Sequence, residues 1–151
     1  MLELAIEAAY GKAVVAGSVG PLGGFLEPYG DRAIADAENM SAELMTALVN
    51  ANLDIVLIEK MVPLSEVLVA VRTAKNVGTE IIRVTMTFES TPEGPKTLFG
   101  ETEYNVVVSP ENEAISFMGS NCGSDFDLKR VNANEFCVTT KSPLLVQMFG
   151  G

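Results

Sequence analysis

Histidine and tryptophan are absent from this 151-residue chain, and cysteine occurs only as Cys122 and Cys137. The lack of histidine removes the commonest general base and the commonest nitrogen ligand of zinc. Any catalysis must therefore use carboxylates, a thiolate or a metal held by sulfur. A chain of this length does not need disulfide bonds for stability, so we expect both thiols to be reduced.

Basic residues and long apolar runs are also scarce. The chain has 10 lysines and arginines against 20 aspartates and glutamates, a net charge of −10. This charge repels phosphate backbones and anionic membranes, so neither nucleic acid nor a membrane is expected as a partner. No apolar run approaches the roughly 20 residues that cross a bilayer, and the N-terminus lacks the basic segment of a signal peptide. We therefore predict a soluble, cytoplasmic protein.

Apolar residues make up 48% of the chain, enough to bury the core of one domain over residues 1–151. Apolar segments that favour strands alternate with amphipathic segments that favour helices. The predicted strands are residues 13–16, 54–58, 81–88, 114–119 and 144–146. The predicted helices are residues 2–9, 37–50, 64–77 and 125–136, and residues 91–95 are predicted as a loop rich in proline and glycine.

Two segments of this pattern are less regular than the rest. In the second helix the predicted apolar face is Ala37, Met40, Leu44 and Leu48, with Ser41 as a local break or cap. Residues 102–113 stay open, because valines 106–108 favour a strand, the alternating order requires a helix, and a proline at position 110 interrupts either. Charged residues of the predicted helices are assigned to their solvated faces.

The alternation predicts an α/β fold whose parallel sheet is covered on both faces. Two architectures fit: an open doubly wound sheet, for which five strands are enough, and a (β/α)8 barrel of the TIM type. An eight-stranded barrel takes about 250 residues, so the barrel interpretation implies an incomplete barrel of about five strands.

The polar residues that follow the strands are the candidate site residues, because such folds keep their chemistry at the carboxyl ends of strands. Cys122 follows the fourth predicted strand, where a thiolate suggests metal binding or nucleophilic attack. Glu59 ends a buried strand, where a carboxylate is costly unless it faces a site or a partner. Alternatively, Cys122 is a buried structural thiol, Asn121 is a turn residue and Glu59 is a solvated glutamate. The loop from Gly17 lacks the glycine spacing of a nucleotide-binding turn.

Several segments together resemble the homocysteine S-methyltransferase family, and most closely the homocysteine-binding domain of cobalamin-dependent methionine synthase. They are VAGSVGP (15–21) with FLEPYGD (25–31), DIVLIE (54–59), VTMTF (84–88), GSNCG (119–123) and PLLVQ (143–147). Their order and spacing match strands three to seven of the family's barrel.

The resemblance implies a zinc-dependent methyltransferase, in which zinc-bound homocysteine thiolate accepts a methyl group and gives methionine, as in methionine biosynthesis. Cys122 matches one of three cysteine ligands, whereas the other two, after the eighth strand, have no counterpart. Glu59 would bind the amino group of homocysteine, and Gly17, Ser18 and Asn121 would line the substrate pocket. Cys137 is assigned to packing.

The same comparison implies a partial barrel, because the first two strands and the eighth have no counterpart. The chain is then a transferase by descent that is inactive alone, because its barrel is truncated. The first alternative is a non-catalytic interaction module, whose open sheet edges pair with a second copy or with a companion subunit that carries the missing strands. The second is a small open-sheet protein with an unrelated ligand.

Overall fold

The computed structural model describes residues 2–109, 114–123 and 126–148. Its elements in chain order are α1 (Leu2–Ala9), β1 (Ala16–Val19), α2 (Ile34–Asn50), β2 (Ile55–Met61), α3 (Leu64–Asn76), β3 (Ile82–Met86), β4 (Glu89–Thr91), β5 (Gly94–Lys96), α4 (Glu103–Val107), β6 (Phe117–Ser120), α5 (Phe126–Thr139) and β7 (Leu144–Val146).

Five strands form one sheet in the order β1-β2-β3-β6-β7, and each neighbouring pair is parallel. The predicted parallel sheet of five strands is therefore confirmed. Because the strands follow one another in chain order, the sheet has no point at which the order reverses, and the doubly wound alternative is wrong. The order is that of consecutive strands of a barrel.

The main core lies between one face of this sheet and helices α2, α3 and α5. Strand residues alternate between faces, and those directed at the helices are fully buried. This core includes Ile58, Met61, Val84, Met86 and Met118 from the strands, and Met45, Val67, Val71 and Phe136 from the helices. The expectation of helices on both faces is wrong, because these three helices pack on the same face. The other face carries Leu57, Arg83 and Phe117, which are half-buried.

Helix α2 shows why a spacing argument can select the wrong face. Met40 and Leu44 are 45% and 41% exposed, whereas Ser41 and Met45 are buried. The buried stripe therefore runs through Ala37, Ser41, Met45 and Leu48. Ser41 neither caps nor breaks the helix. It lies within the buried stripe, where its small side chain allows close packing.

Two segments after β3 differ from the predicted pattern. The proline- and glycine-rich loop is an antiparallel hairpin of β4 and β5, in which Thr91 pairs with Gly94. The described part of the ambiguous segment, residues 102–109, contains the short helix α4, whose capping box joins Thr102 and Asn105. The predicted cap of α5, at positions 124 and 125, lies outside the described residues. Among the described helices, none is long and apolar enough to cross a membrane.

Candidate functional site

Ser18 and Glu59 meet at the carboxyl end of the sheet. The Ser18 hydroxyl donates a hydrogen bond to Glu59 Oε1 at 2.6 Å. The register between β2 and β3 shifts between Ile58 and Met61, and Lys60 has a φ of 60°. Such bulges redirect side chains beside functional sites, and here the bulge directly follows Glu59. A carboxylate that accepts one hydroxyl still has oxygen lone pairs for a cationic ligand.

Thr87 and Asn121 form a second polar pair at the same end of the sheet. The Thr87 hydroxyl lies 3.4 Å from Asn121 Oδ1 and donates to it. The backbone holds both residues, since Thr87 N donates to the Met61 carbonyl at 2.9 Å and Asn121 N to the Met86 carbonyl at 3.0 Å. Because Asn121 Oδ1 is used as an acceptor, the side-chain NH2 group is the part of this amide that can donate.

Cys122 directly follows this pair in a left-handed backbone conformation, with a φ of 52°. Such a φ is uncommon for residues other than glycine, and it turns the chain sharply out of β6. The thiol is half-buried rather than part of the core. Ser18, Glu59, Thr87, Asn121 and Cys122 are together called the carboxyl-end site here.

Lys129 lies beneath this site and was not expected from the sequence. It is buried on α5, and its Nζ donates to the Asn121 carbonyl oxygen at 2.9 Å. Burial lowers the pKa of Lys129, while the nearby Cys122 and Glu89 act in the opposite direction. The ammonium group therefore fixes the turn that carries Cys122 and places positive charge beside it.

The loop after β1 borders the same end of the sheet through contacts with α3. Leu22 N donates to Glu66 Oε1 at 2.8 Å, and Glu66 is buried. Arg32 Nη1 in turn donates to the Leu22 carbonyl at 2.7 Å. These bonds hold the loop against the start of α3.

The remaining residues singled out in the sequence lie as follows. Gly17 is buried on the helix-facing side of β1, where an added Cβ would lie 2.8 Å from a Leu53 methyl group and 2.9 Å from one of Leu48. Gly17 therefore allows α2 to pack closely on the sheet, and this role is at least as direct as a role in binding a ligand. Cys137 was assigned to packing, and this is wrong: its side chain is exposed on α5.

Zinc does not fit the described residues on their own. Cys122 offers one sulfur, whereas a catalytic zinc usually has three protein ligands. In residues 2–109, 114–123 and 126–148, no three cysteine, aspartate or glutamate side chains are grouped to hold a metal ion. The ammonium group of Lys129, which hydrogen-bonds next to Cys122, also repels a divalent cation.

Sequence reasoning missed Thr87 and Lys129 for different reasons. Thr87 lies inside a predicted strand, where a threonine carries no special signal. Lys129 was assigned to a solvated helix face, although it lies three and seven residues before the buried Asn132 and Phe136. That helical spacing was the available signal that Lys129 faces inward.

Comparisons with known proteins give a family and a shared fold. A family model described as homocysteine S-methyltransferase matches residues 1–148. The apo crystal structure of the homocysteine methyltransferase MmuM from Escherichia coli shares the fold, with a TM-score of 0.75 at 19% sequence identity. The similarity covers 99% of this chain and 55% of that one, so the chain spans about half the length of that protein. No curated protein sequence matches the chain.

Proposed function

Because this chain belongs to the homocysteine S-methyltransferase family, we propose that its carboxyl-end site binds homocysteine and acts in methyl transfer to the homocysteine sulfur, giving methionine. The observation that carries the proposal is the placement of Ser18, Glu59 and Asn121 at one end of the sheet in a chain of this family. The acidic Glu59 and the amide of Asn121 suit the two charged groups of an amino acid.

The geometry supports a specific orientation of the substrate. Glu59 accepts from the substrate ammonium group, and the Ser18 hydroxyl holds the Glu59 carboxylate in place. Asn121 donates to the substrate carboxylate, because Thr87 already donates to its oxygen. Strand β3 lies between β2 and β6, so these two strands are roughly 10 Å apart. In this proposal a short amino acid spans the distance between Glu59 and Asn121.

The proposed reaction is a nucleophilic substitution at a methyl carbon. The homocysteine thiol loses its proton to solvent, and the sulfur lone pair forms the new bond to the methyl carbon. The bond between that carbon and the donor's leaving atom breaks, and the leaving atom keeps the electron pair. In this proposal the chain's residues bind and orient homocysteine, and no step depends on a metal.

Direct binding tests this proposal better than turnover, because it does not require the methyl donor. We expect L-homocysteine to bind in calorimetry and 4-mercaptobutanoate, which lacks the amino group, to bind about tenfold or more weakly. A hydrogen bond to a charged group contributes roughly 1.5–3 kcal/mol, which corresponds to about ten- to a hundredfold in affinity. Glu59→Gln should remove this preference. Glu43→Gln, an exposed glutamate on α2, is the matched control. Equal binding of the two compounds by the native chain would refute the assigned role of Glu59.

We also propose that Cys122 binds zinc only when a second chain supplies the further ligands. The isolated chain should then hold far less than one zinc per chain after dialysis. Whatever it holds should fall in Cys122→Ser and stay unchanged in Cys137→Ser, which alters an exposed thiol on α5. Metal analysis of the three proteins checks this, and loss of zinc in Cys137→Ser alone would contradict it.

The uncovered sheet face favours a second candidate function, that of a non-catalytic interaction module. On this face the Arg83 guanidinium carbon lies 4.2 Å from the centre of the Phe117 ring, and Arg83 Nε is buried without a hydrogen-bond partner. In the described part of the chain, β1 and β7 each pair along one edge only. Open parallel edges and half-buried apolar residues favour association with another chain.

A further inference from the structure

A separate acidic cavity lies outside the sheet, between the β4–β5 hairpin, α4 and the end of α5. Its volume is about 240 Å³. It is lined by Glu93, Gly94, Pro95, Thr102, Glu103, Tyr104, Glu135 and Thr139. None of these lining residues is basic, so three carboxyl groups share the cavity without a cation among its walls.

Glu103 is the residue that makes this cavity unusual. It is only 3% exposed, and its Oε1 has no hydrogen-bond partner among the described residues. A buried polar atom without a partner is costly, and a carboxylate oxygen particularly so. Burial raises the pKa of Glu103 to about 7, and the neighbouring Glu135 adds to this effect. The residues that line the cavity therefore supply no positive charge to balance the ionised form of Glu103.

The other acidic residues do not need a partner in the same way. Glu93 already forms an ion pair with Lys96 on the hairpin, and this pairing lowers its pKa. Glu135 is exposed to solvent. The hydroxyls of Thr102 and Thr139 donate to Asn105 Oδ1 and to the Glu135 carbonyl. Their oxygens consequently remain as acceptors, so the cavity is lined mostly by acceptors, and the Tyr104 hydroxyl is able to donate as well.

We propose that this cavity binds a small organic cation with a primary ammonium group, held by Glu103 and Glu135. An ammonium group has three donors, which match the two carboxylates and a threonine oxygen. The Pro95 ring and the Tyr104 ring provide apolar surface for a short alkyl chain, and the volume exceeds that of several water molecules of about 30 Å³ each. A bare metal ion fits less well, because the described acidic side chains form no group of three ligands.

Titration with n-butylammonium, followed by amide chemical shifts and calorimetry, tests the proposal. We expect saturable shifts at Thr102, Tyr104 and Thr139 at a pH of about 8, where Glu103 is ionised. Butan-1-ol, which has the same alkyl chain and no charge, should produce no saturable shifts. The experiment requires neither homocysteine nor a methyl donor, so its result is independent of the proposed methyl transfer.

Two variants locate the site. Glu103→Gln keeps the size of the side chain and should weaken n-butylammonium at least tenfold, and Glu135→Gln should weaken it by a smaller factor. Glu43→Gln should bind as the native chain does. The proposal is overturned if butan-1-ol binds equally well, if both cavity variants keep native affinity, or if n-butylammonium gives no saturable shifts. Glu135 is exposed, so its variant remains informative even where Glu103→Gln alters stability.

Discussion

At the scale of single residues, Lys129 connects the helix layer to the carboxyl-end site. Its ammonium group is buried, and its hydrogen bond to the Asn121 carbonyl holds the turn into Cys122. A methionine has a similar length and volume but cannot donate. The carbonyl of Asn121 would lose its donor while the surrounding packing stays nearly unchanged.

We therefore expect Lys129→Met to lower the free energy of unfolding by about 1–2 kcal/mol, the typical cost of leaving a buried acceptor unpaired. It should also weaken homocysteine binding, because Asn121 is no longer held. Urea unfolding and calorimetry measure the two effects. Lys141→Met, which alters an exposed lysine, is the control. Native homocysteine affinity in a destabilised Lys129→Met would show that Lys129 serves stability alone.

Glu103 gives the chain a pH-dependent stability. Its pKa is raised to about 7 in the folded state from an ordinary value near 4.5, chiefly by burial. The folded state thus keeps a proton that the unfolded state has already lost, so the contribution of Glu103 to stability is greatest below about pH 4.5 and is lost as the pH rises to about 7. The titratable groups that line the cavity with Glu103 are Glu93 of the hairpin, Tyr104 of α4 and Glu135 of α5. Lys96 is paired with Glu93.

Glu103→Gln should remove this part of the pH dependence. We expect the variant to gain about 1–3 kcal/mol relative to the native chain at about pH 8, and little at about pH 4.5. Urea unfolding at the two pH values, with Glu43→Gln as reference, measures the difference. A gain of the same size at both pH values would assign the effect to packing rather than to ionisation.

At the scale of elements, the sequence was informative where apolar periodicity was strong. The continuous apolar run of β2 and the proline-to-glycine frame of α3 predicted both elements within a few residues. The β4–β5 hairpin was missed because three-residue strands are too short to show alternation. Helix α4 could not be predicted from valines 106–108, whose strand preference is outweighed by the capping box before them.

The residues of the site also differ in how far the sequence predicted them. Residues that end strongly apolar strands, such as Glu59 and Cys122, could be located from the sequence, because strand ends are fixed by the apolar pattern. Their partners could not, because the Ser18–Glu59 and Thr87–Asn121 bonds depend on which strands are neighbours. Strand order is a property of the fold that no local pattern contains.

The pairing of β6 with β7 makes a further prediction at this scale. An added Cβ at Gly119 would lie 1.9 Å from the Leu145 carbonyl oxygen, which is backbone and cannot rotate away. Gly119→Ala should therefore separate β7 from the sheet and lower the free energy of unfolding by about 3 kcal/mol or more. Gly20→Ala, where an added Cβ has no neighbour within 4 Å, is the control. Urea unfolding compares the two, and equal stability would contradict the tight approach.

At the scale of the whole molecule, the sheet is covered by helices on one face only. The shared fold with a protein of which this chain spans about half indicates a segment of a barrel wall. In a closed barrel this second face is filled by side chains from all strands. Here Leu57 and Phe117 remain half-buried, and Arg83 Nε has no hydrogen-bond partner in the part of the chain that the structure describes.

This surface predicts self-association of the isolated chain. We expect sedimentation velocity to show a dimer or larger species that dissociates on dilution, since apolar surface and open edges both favour contact between copies. Phe117→Ser should shift the distribution toward monomer, because it removes an aromatic ring from the uncovered face and the stacking partner of Arg83. Phe126→Ser, which alters an exposed ring on α5, should leave the distribution unchanged. A monomer at all concentrations, with homocysteine bound, would favour the methyltransferase role over the interaction module, because the site would then be complete without a second chain.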